Sequence, residues 1–196
     1  LKDKNDNRLI AFGRFAGMVG AHNALWTYSQ RTGDFALPRM KDFHDYREAK
    51  DFYKTGKFPA VKVVLTGTRR ATTAAGEVLR DMGVQQVSPA DFLEKTYDHP
   101  VFTQLSCKDY VARKDGKPYV KEDFYGHPNR YKSIFSSYYQ VADIMVNGIY
   151  WDKGAPAFFS LEEMAKPDFK LKVIADVTCD IAPESSIPST LRASTI

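Results

Sequence analysis

Residues Val61 to Gly76 read Val-Lys-Val-Val-Leu-Thr-Gly-Thr-Arg-Arg-Ala-Thr-Thr-Ala-Ala-Gly. A run of β-branched and aliphatic residues of this length, stopped by a glycine and followed by small residues, predicts a buried strand, a tight turn at Gly67 and a helix. A dinucleotide fingerprint has this form when glycines stand at three places. The first makes the turn, the second lets backbone amides approach a pyrophosphate, and the third allows the helix to pack closely. Gly67 holds the first place, whereas Arg69 and Thr72 hold the others. The same residues also fit an ordinary strand-turn-helix unit.

Reading outward from that unit, apolar runs alternate with helical stretches. VKVVLTG is followed by a helix through Met82, then by VQQVS, the run Thr103 to Tyr110, ADIMVNGIY and KVIADVTC. Such alternation is the mark of βαβ units and a parallel sheet. Runs such as Ile144-Met145-Val146 and Val173-Ile174 are apolar at successive positions, as expected of strands covered by helices on both faces. The fold class read from these features is α/β, a Rossmann-type doubly wound parallel sheet. Lys114 to Asp123 reads as an inserted polar loop or hairpin, and helices are expected from about Pro128 to Gln140 and from Ser160 to Ala165. In the latter, Ser160 and Glu163 form a capping pair.

Before the sheet, Leu9 to Arg31 carries Ile10, Phe12, Phe15, Met18, Val19, Leu25 and Trp26 at roughly helical spacing, predicting a long and mostly buried helix. Gly13, Gly17 and Gly20 each cost such a helix up to about 1 kcal/mol relative to alanine, so another backbone is expected to approach there. His22 within it reads as a packing or capping residue. Asp45 to Lys54 suggests a second, amphipathic helix ended by Gly56. The expected division is residues 1–58 as the interdomain helix and connecting helical segment, and 59–196 as the dinucleotide-binding domain.

A chain of 196 residues suffices for one domain with an appendage. No apolar run approaches the roughly 20 residues that span a bilayer, so no membrane association is expected. The net charge of +4 is dispersed among acids, with no basic stripe for nucleic acid. Cys107 and Cys179 lie far apart without metal-ligand spacing and no signal-like segment precedes the first helix, which together point to no metal and to a cytoplasmic setting. The start at Leu1 and the end at Ile196 suggest a piece of a longer protein.

In open α/β sheets ligands bind beyond the carboxyl ends of the strands, so the residues that end each strand carry the chemistry. Four such ends are Gly67-Thr68-Arg69-Arg70, Val87-Ser88-Pro89, Asn147-Gly148-Ile149-Tyr150-Trp151 and Asp176-Val177-Thr178-Cys179-Asp180. About twenty residues beyond the first glycine an NAD site usually places a carboxylate on the ribose, and this chain offers Ser88 and Pro89 there. That substitution, with Arg69 or Arg70 able to pair with a 2′-phosphate, makes NADP as well as NAD a candidate cofactor. Equally, Arg69 could fill the phosphate site and close it. Asp176 and Asp180 are either a proton-handling pair or formers of a strand-end turn. Tyr150 and Trp151 either wall a nicotinamide pocket or belong to the core, and His127 before Pro128 reads as a helix cap.

The segments AFGRFAGMVGAHN, VVLTGT, Tyr119 to Tyr131, VNGIYWD and VIADVTCDIAP together resemble the lysine–ketoglutarate reductase and lysine-forming saccharopine dehydrogenase family, within the alanine dehydrogenase-like superfamily. The likeness covers Arg8 to Pro188. It implies reductive condensation, in which the ε-amine of lysine adds to the keto carbon of 2-oxoglutarate, water leaves and NAD(P)H delivers hydride to give saccharopine, or the reverse. It also implies that much of the substrate and acid-base machinery comes from an amino-terminal domain absent from this sequence, so that the chain alone is not expected to turn over. On this reading Gly67, Thr68, Arg69, Arg70, Ser88, Asn147, Gly148, Ile149 and Tyr150 lie near the nucleotide, and Asp176 or Asp180 faces substrate. Relatives usually read Gly-Thr-Gly where this chain reads Gly67-Thr68-Arg69. The remaining readings are an amino-acid dehydrogenase acting on alanine or another small substrate, and a non-catalytic domain whose phosphate site is closed by Arg69. The first helix, without its partner domain, is a candidate homodimer surface.

Overall fold

The computed structural model describes residue 4 and residues 12–178 and 180–192; Leu9, Ile10 and Cys179, which enter the sequence reading above, lie outside them. The long amino-terminal helix is α1, Gly13–Thr32, closed by Gly33 in the left-handed conformation. After a 3-10 turn, α2, Tyr46–Thr55, starts where the Asp45 carboxylate accepts the amides of Arg47 and Glu48. The decisive stretch then forms β1, Lys62–Thr66, and α3, Arg70–Asp81, as its sequence predicts.

Beyond α3 come β2, Gln85–Gln86; α4, Pro89–Glu94; β3, Val101–Leu105; α5, Cys107–Tyr110; β4, Val111–Arg113; and α6, Lys121–Gly126. The chain continues through β5, Tyr131–Ser133; α7, Ser136–Tyr139; β6, Ile144–Asn147; α8, Leu161–Met164; and β7, Val173–Asp176. Five strands form one parallel sheet in the order β2-β3-β1-β6-β7, and β4 and β5 pair antiparallel as a separate ribbon. This is a Rossmann-like α/β fold.

Alternation along the strands divides the core in two. Val63, Leu65, Phe102, Ile144, Val146 and Val173 point to the face covered by α1, α2 and α3. Val64, Val101, Leu105, Met145 and Ile174 point to the other, where an aromatic layer including Phe92, Tyr110, Phe124, Tyr131, Phe135 and Tyr139 packs. Each buried Val, Leu or Phe contributes about 1.5–3 kcal/mol, so this two-sided burial is what makes the successive apolar positions strands of a covered sheet.

Three local expectations change. The segment 128–140 is not one helix. Pro128 opens a single 3-10 turn, and Tyr131, fully buried among Tyr119 and Phe124, pulls the next residues into β5 beside β4 before α7 begins. The run 103–110 is a strand only to Leu105, after which Ser106 and Asp109 cap α5. Finally α1 is buried along one side only: Met18, Ala21, His22, Leu25 and Tyr28 are covered, while Phe12, Phe15 and Val19 are exposed at 66, 61 and 41%. His22 is a packing residue, its Nδ1 2.6 Å from the Tyr53 hydroxyl and its Nε2 2.8 Å from the Pro38 carbonyl.

Candidate functional site

The loops that leave β1 and β6 go to opposite faces of the sheet, β1 into α3 and β6 towards α8. These neighbouring strands therefore flank a switch point, the place where a doubly wound sheet opens a crevice. Gly67 turns the chain there with φ of +110°, a conformation in which an L side chain is strained. A Cβ on Gly67 would meet the Gly148 carbonyl oxygen and the Thr72 methyl at 3.2 Å each. The turn is tied to the sheet by the Gly67 amide, which donates to Leu105 O at 2.9 Å, and by Gln104 Nε2, which donates to Gly67 O at 2.9 Å.

The first intrahelical bond of α3 runs from the Thr73 amide to Arg69 O, and no side chain caps the preceding turn. Its leading amides thus face the crevice with the positive end of the helix dipole behind them, an arrangement suited to a pyrophosphate. Thr72, fully buried, takes the place of a third glycine by packing its methyl on Gly67 and Gly148 and donating its hydroxyl to Arg69 O at 2.9 Å. On the outer side of α3, Gly17 of α1 lies against the Ala71 backbone so closely that even a Cβ would overlap the carbonyl. The glycines of α1 thus include one that exists for backbone contact.

Three neighbouring spaces that share lining residues lie at this point. An open groove of 1080 Å³ runs between the start of α1 and α3, bordered by Arg14, Thr68, Arg69, Arg70, Gly148 and Tyr150. On its floor Arg14 and Glu77 form an ion pair of 2.7 Å between the two helices. Deeper, Gly67, Arg69 and Gly148 share a narrow cavity with Ser106, Cys107 and Tyr125. Beside it, sharing Cys107, Tyr110 and Tyr125 as lining, is an aromatic cavity of 220 Å³ whose walls include Phe124, Trp151 and Phe158. The Cys107 thiol is free and lies 3.2 Å from the Tyr110 hydroxyl. Burial, and then the nearby Cys107, push the Tyr110 phenol far above its usual range, so it stays protonated. Burial raises the Tyr125 phenol as well, with Arg69 acting in the opposite direction.

The structure brings Gly67, Thr68, Arg69, Arg70, Gly148, Ile149 and Tyr150 to these spaces. Arg69 and Arg70 are exposed rather than folded into the turn, and Tyr150 is 82% exposed. Asn147 is fully buried: its Oδ1 accepts from the Thr66 hydroxyl at 2.7 Å, and its Nδ2 donates to Asp176 Oδ1 and Ser186 Oγ at 3.0 and 3.1 Å. Asp176 in addition accepts from the Thr178 amide and hydroxyl and from the Thr190 hydroxyl. This network locks the ends of β1, β6 and β7 beneath the crevice. Asp180 stands beside it, its carboxyl pushed up first by burial and then by the Asp176 charge.

Ser88 is placed elsewhere. The structure puts β2 at the sheet edge with β3 between it and β1, and the Ser88 hydroxyl caps α4 by accepting the Asp91 amide at 3.1 Å. In a doubly wound sheet of the usual order the second strand adjoins the first. Here the segment 85–100 makes an excursion to the edge, and the strand end beside Gly67 is Leu105-Ser106-Cys107. Ser106, Cys107, Tyr110 and Tyr125 therefore join the site although strand-end reading passed over them. The signal for them was the Ser106 and Asp109 pair, which marks a helix start inside an apolar run. His127 makes no side-chain cap. Among the described residues no group of three or more His, Cys, Asp or Glu side chains is placed to hold a metal ion, and no helix is long and apolar enough to cross a membrane.

No family model matches the chain. It is 27% identical to alpha-aminoadipic semialdehyde synthase of Arabidopsis thaliana, an alignment that covers 89% of this chain and 20% of that protein. The mitochondrial alpha-aminoadipic semialdehyde synthase of Mus musculus is 26% identical over 82% of this chain and 20% of its own length. Saccharopine dehydrogenase [NAD(+), L-lysine-forming] of Candida glabrata is 28% identical over 96% of this chain and 45% of its own length. The chain thus spans between a fifth and just under half of the curated relatives it matches. Similarity to both kinds of relative across most of the chain, on a Rossmann-like sheet, supports the resemblance to the lysine–ketoglutarate reductase and lysine-forming saccharopine dehydrogenase family.

Proposed function

We propose that this chain is the dinucleotide-binding part, residues 59–196 with the interdomain helix before them, of an NAD(P)-dependent oxidoreductase that acts on the CH–NH bond joining lysine and 2-oxoglutarate in saccharopine. The observation that carries the reading is the switch point itself. A positive-φ Gly67 faces Gly148, with the uncapped start of α3 between them. A backbone cradle of this shape fits a pyrophosphate, and the side chain at the second fingerprint position, Arg69, is exposed at its rim. A bound nicotinamide dinucleotide would supply or accept the hydride.

The contribution of this chain is positioning and proton handling. Gly67, Thr68 and the first turn of α3 would hold the phosphates, with Gly148, Ile149 and Tyr150 forming the opposite lip. Asp180, its carboxyl raised first by burial and then by the Asp176 charge, would exchange a proton at the sheet's carboxyl edge. The groove beside Arg69 and Arg70 offers cationic side chains to the carboxylates of 2-oxoglutarate or saccharopine. The remaining acid-base groups are assigned to an amino-terminal substrate domain, and the exposed Phe12, Phe15 and Val19 of α1 are available to that domain or to a second copy. A cytoplasmic setting accords with the free Cys107 thiol.

The test is a calorimetric titration of the chain with NADPH and with NADH. Binding of either supports the reading, with no turnover of saccharopine expected until the substrate domain is supplied. Arg69 in place of a glycine favours one second reading, a non-catalytic domain with a closed phosphate site. That reading requires that neither dinucleotide binds and that Arg69→Gly creates binding.

A further inference from the structure

We infer that the aromatic cavity beside Cys107 is a binding site for a small organic ammonium compound, a protonated amine on an aryl or short alkyl body that carries no carboxylate or phosphate. The inference goes beyond the dinucleotide reading and does not depend on it. An apolar cavity of about 150 Å³ is large enough to hold benzene, and this one measures 220 Å³. It therefore has room for one ring and a short arm. Its walls carry the aromatic side chains of Tyr110, Phe124, Tyr125, Tyr150, Trp151 and Phe158. Tyr110 meets Phe158 at 4.9 Å and 58°, and Phe124 meets Tyr125 at 5.8 Å and 54°. Rings set at such angles make corners rather than a parallel slot, a shape suited to the rounded head of a cation and not to a planar base clamped on both faces.

The charge of the lining points the same way. It contains one acid, Asp152, and no lysine, arginine or histidine. An aromatic face is the negative end of a ring quadrupole, so the rings and the carboxylate both attract a cation, while a buried anion would be left unpaired. Asp152 is held in place by the Gly154 amide, which donates to its Oδ1 at 2.8 Å, and the neighbouring Lys153 pairs with Glu184 instead. Of the three neighbouring spaces, Asp152, Phe124 and Trp151 border only this one, whereas Arg69 borders only the other two. The narrow cavity, lined by residues of both the Gly67 turn and the aromatic wall, measures 50 Å³. That is room for a few water molecules and not for a ribose, so a dinucleotide seated on the Gly67 cradle does not pass its base through it. Lysine and saccharopine carry carboxylates, which no cation in the aromatic lining can pair.

The experiment titrates the chain at neutral pH with benzylamine, benzyl alcohol and benzoate, three probes of similar size that differ in charge. Binding is followed by the emission of Trp151 in a Trp26→Phe background, which removes the only other tryptophan, and by calorimetry on the parent if that background does not fold. Benzylamine should bind at least about tenfold more tightly than benzyl alcohol, the scale of a cation set on aromatic faces beside a carboxylate, and benzoate more weakly than either. Asp152→Asn, which keeps the acceptor for the Gly154 amide, should remove most of that preference and leave the affinity for benzyl alcohol within about twofold. Equal binding of benzylamine and benzyl alcohol overturns the inference, and so does an unaltered preference in Asp152→Asn. Release of bound benzylamine by 5′-AMP overturns it by making the cavity part of the dinucleotide site. Binding of lysine as tight as that of benzylamine does the same by making it part of the substrate site. Failure of the folded chain to bind benzylamine overturns it outright.

Discussion

Gly148, at the end of β6, has no room for a side chain because the methyl of Thr72 occupies it: a Cβ there would meet Thr72 Cγ2 at 2.7 Å. The two sides of the crevice are therefore spaced by one methyl group. Gly148→Ala should cost about 1–3 kcal/mol of stability through overpacking and displace α3 from β6. Thr72→Ser removes the methyl and keeps the hydroxyl that bonds Arg69 O. The double variant should recover most of the loss in urea unfolding, and additive effects of the two substitutions would contradict this account.

The contact between Gly17 and Ala71 makes a second, sharper demand. Backbone meets backbone there, and neither flexible side chains nor rotamers can yield. Gly17→Ala should destabilise the chain by about 3 kcal/mol despite the better helix propensity of alanine. Gly13, at the first turn of the same helix, has no heavy atom within 4 Å of a Cβ. Gly13→Ala should be neutral or slightly stabilising. Equal effects of the two substitutions on the unfolding midpoint would show that α1 does not pack as described.

The sheet was legible in the sequence because its strands are buried on both faces and its turn needs Gly67, two demands that composition records directly. Strand order was not. Gln85 and Gln86 are as polar as a loop, and nothing local says that β2 will sit at the edge while β3 inserts beside β1. That choice depends on contacts distant in sequence, such as Val87 N–H to Phe102 O and Val101 N–H to Val61 O. It decides whether Ser88 or Ser106 lies beside Gly67, so half of the site could be read from motif spacing and half only from topology. The exposure of Phe12 and Phe15 was hidden for a related reason, since periodicity gives the apolar face of a helix but not which part of it another element covers.

Asp176 and Asp180 look alike in sequence and differ in what they hold. Asp176→Ala would strand the Asn147 amide and the Thr178 and Thr190 hydroxyls, at a cost of about 1–3 kcal/mol in urea unfolding. Asp176→Asn, which keeps an acceptor, should lose less. Asp180→Asn relieves the repulsion between the two carboxylates and should leave stability within about 0.5 kcal/mol. In a chain completed with its substrate domain, Asp180→Asn should lower turnover, so stability and activity separate the two residues. Unchanged stability in Asp176→Ala would dissolve the proposed strand-end network.

His22 should make the fold sensitive to mild acid. Its ring is fully buried in α1, and burial lowers its pKa from the ordinary 6.5, the contact with Pro38 O offsetting part of the effect. The neutral ring can donate from Nε2 to Pro38 O and accept the Tyr53 hydroxyl at Nδ1. Because the unfolded chain takes up this proton more readily than the folded one, the contribution is fully present above pH 6.5 and declines as pH falls from there towards the lowered folded value. Urea midpoints measured from pH 7.5 to pH 5.5 should fall, and His22→Gln, which retains one donor and one acceptor, should flatten the decline even where it lowers stability overall. An unaltered slope in that variant would assign the acid sensitivity to other groups.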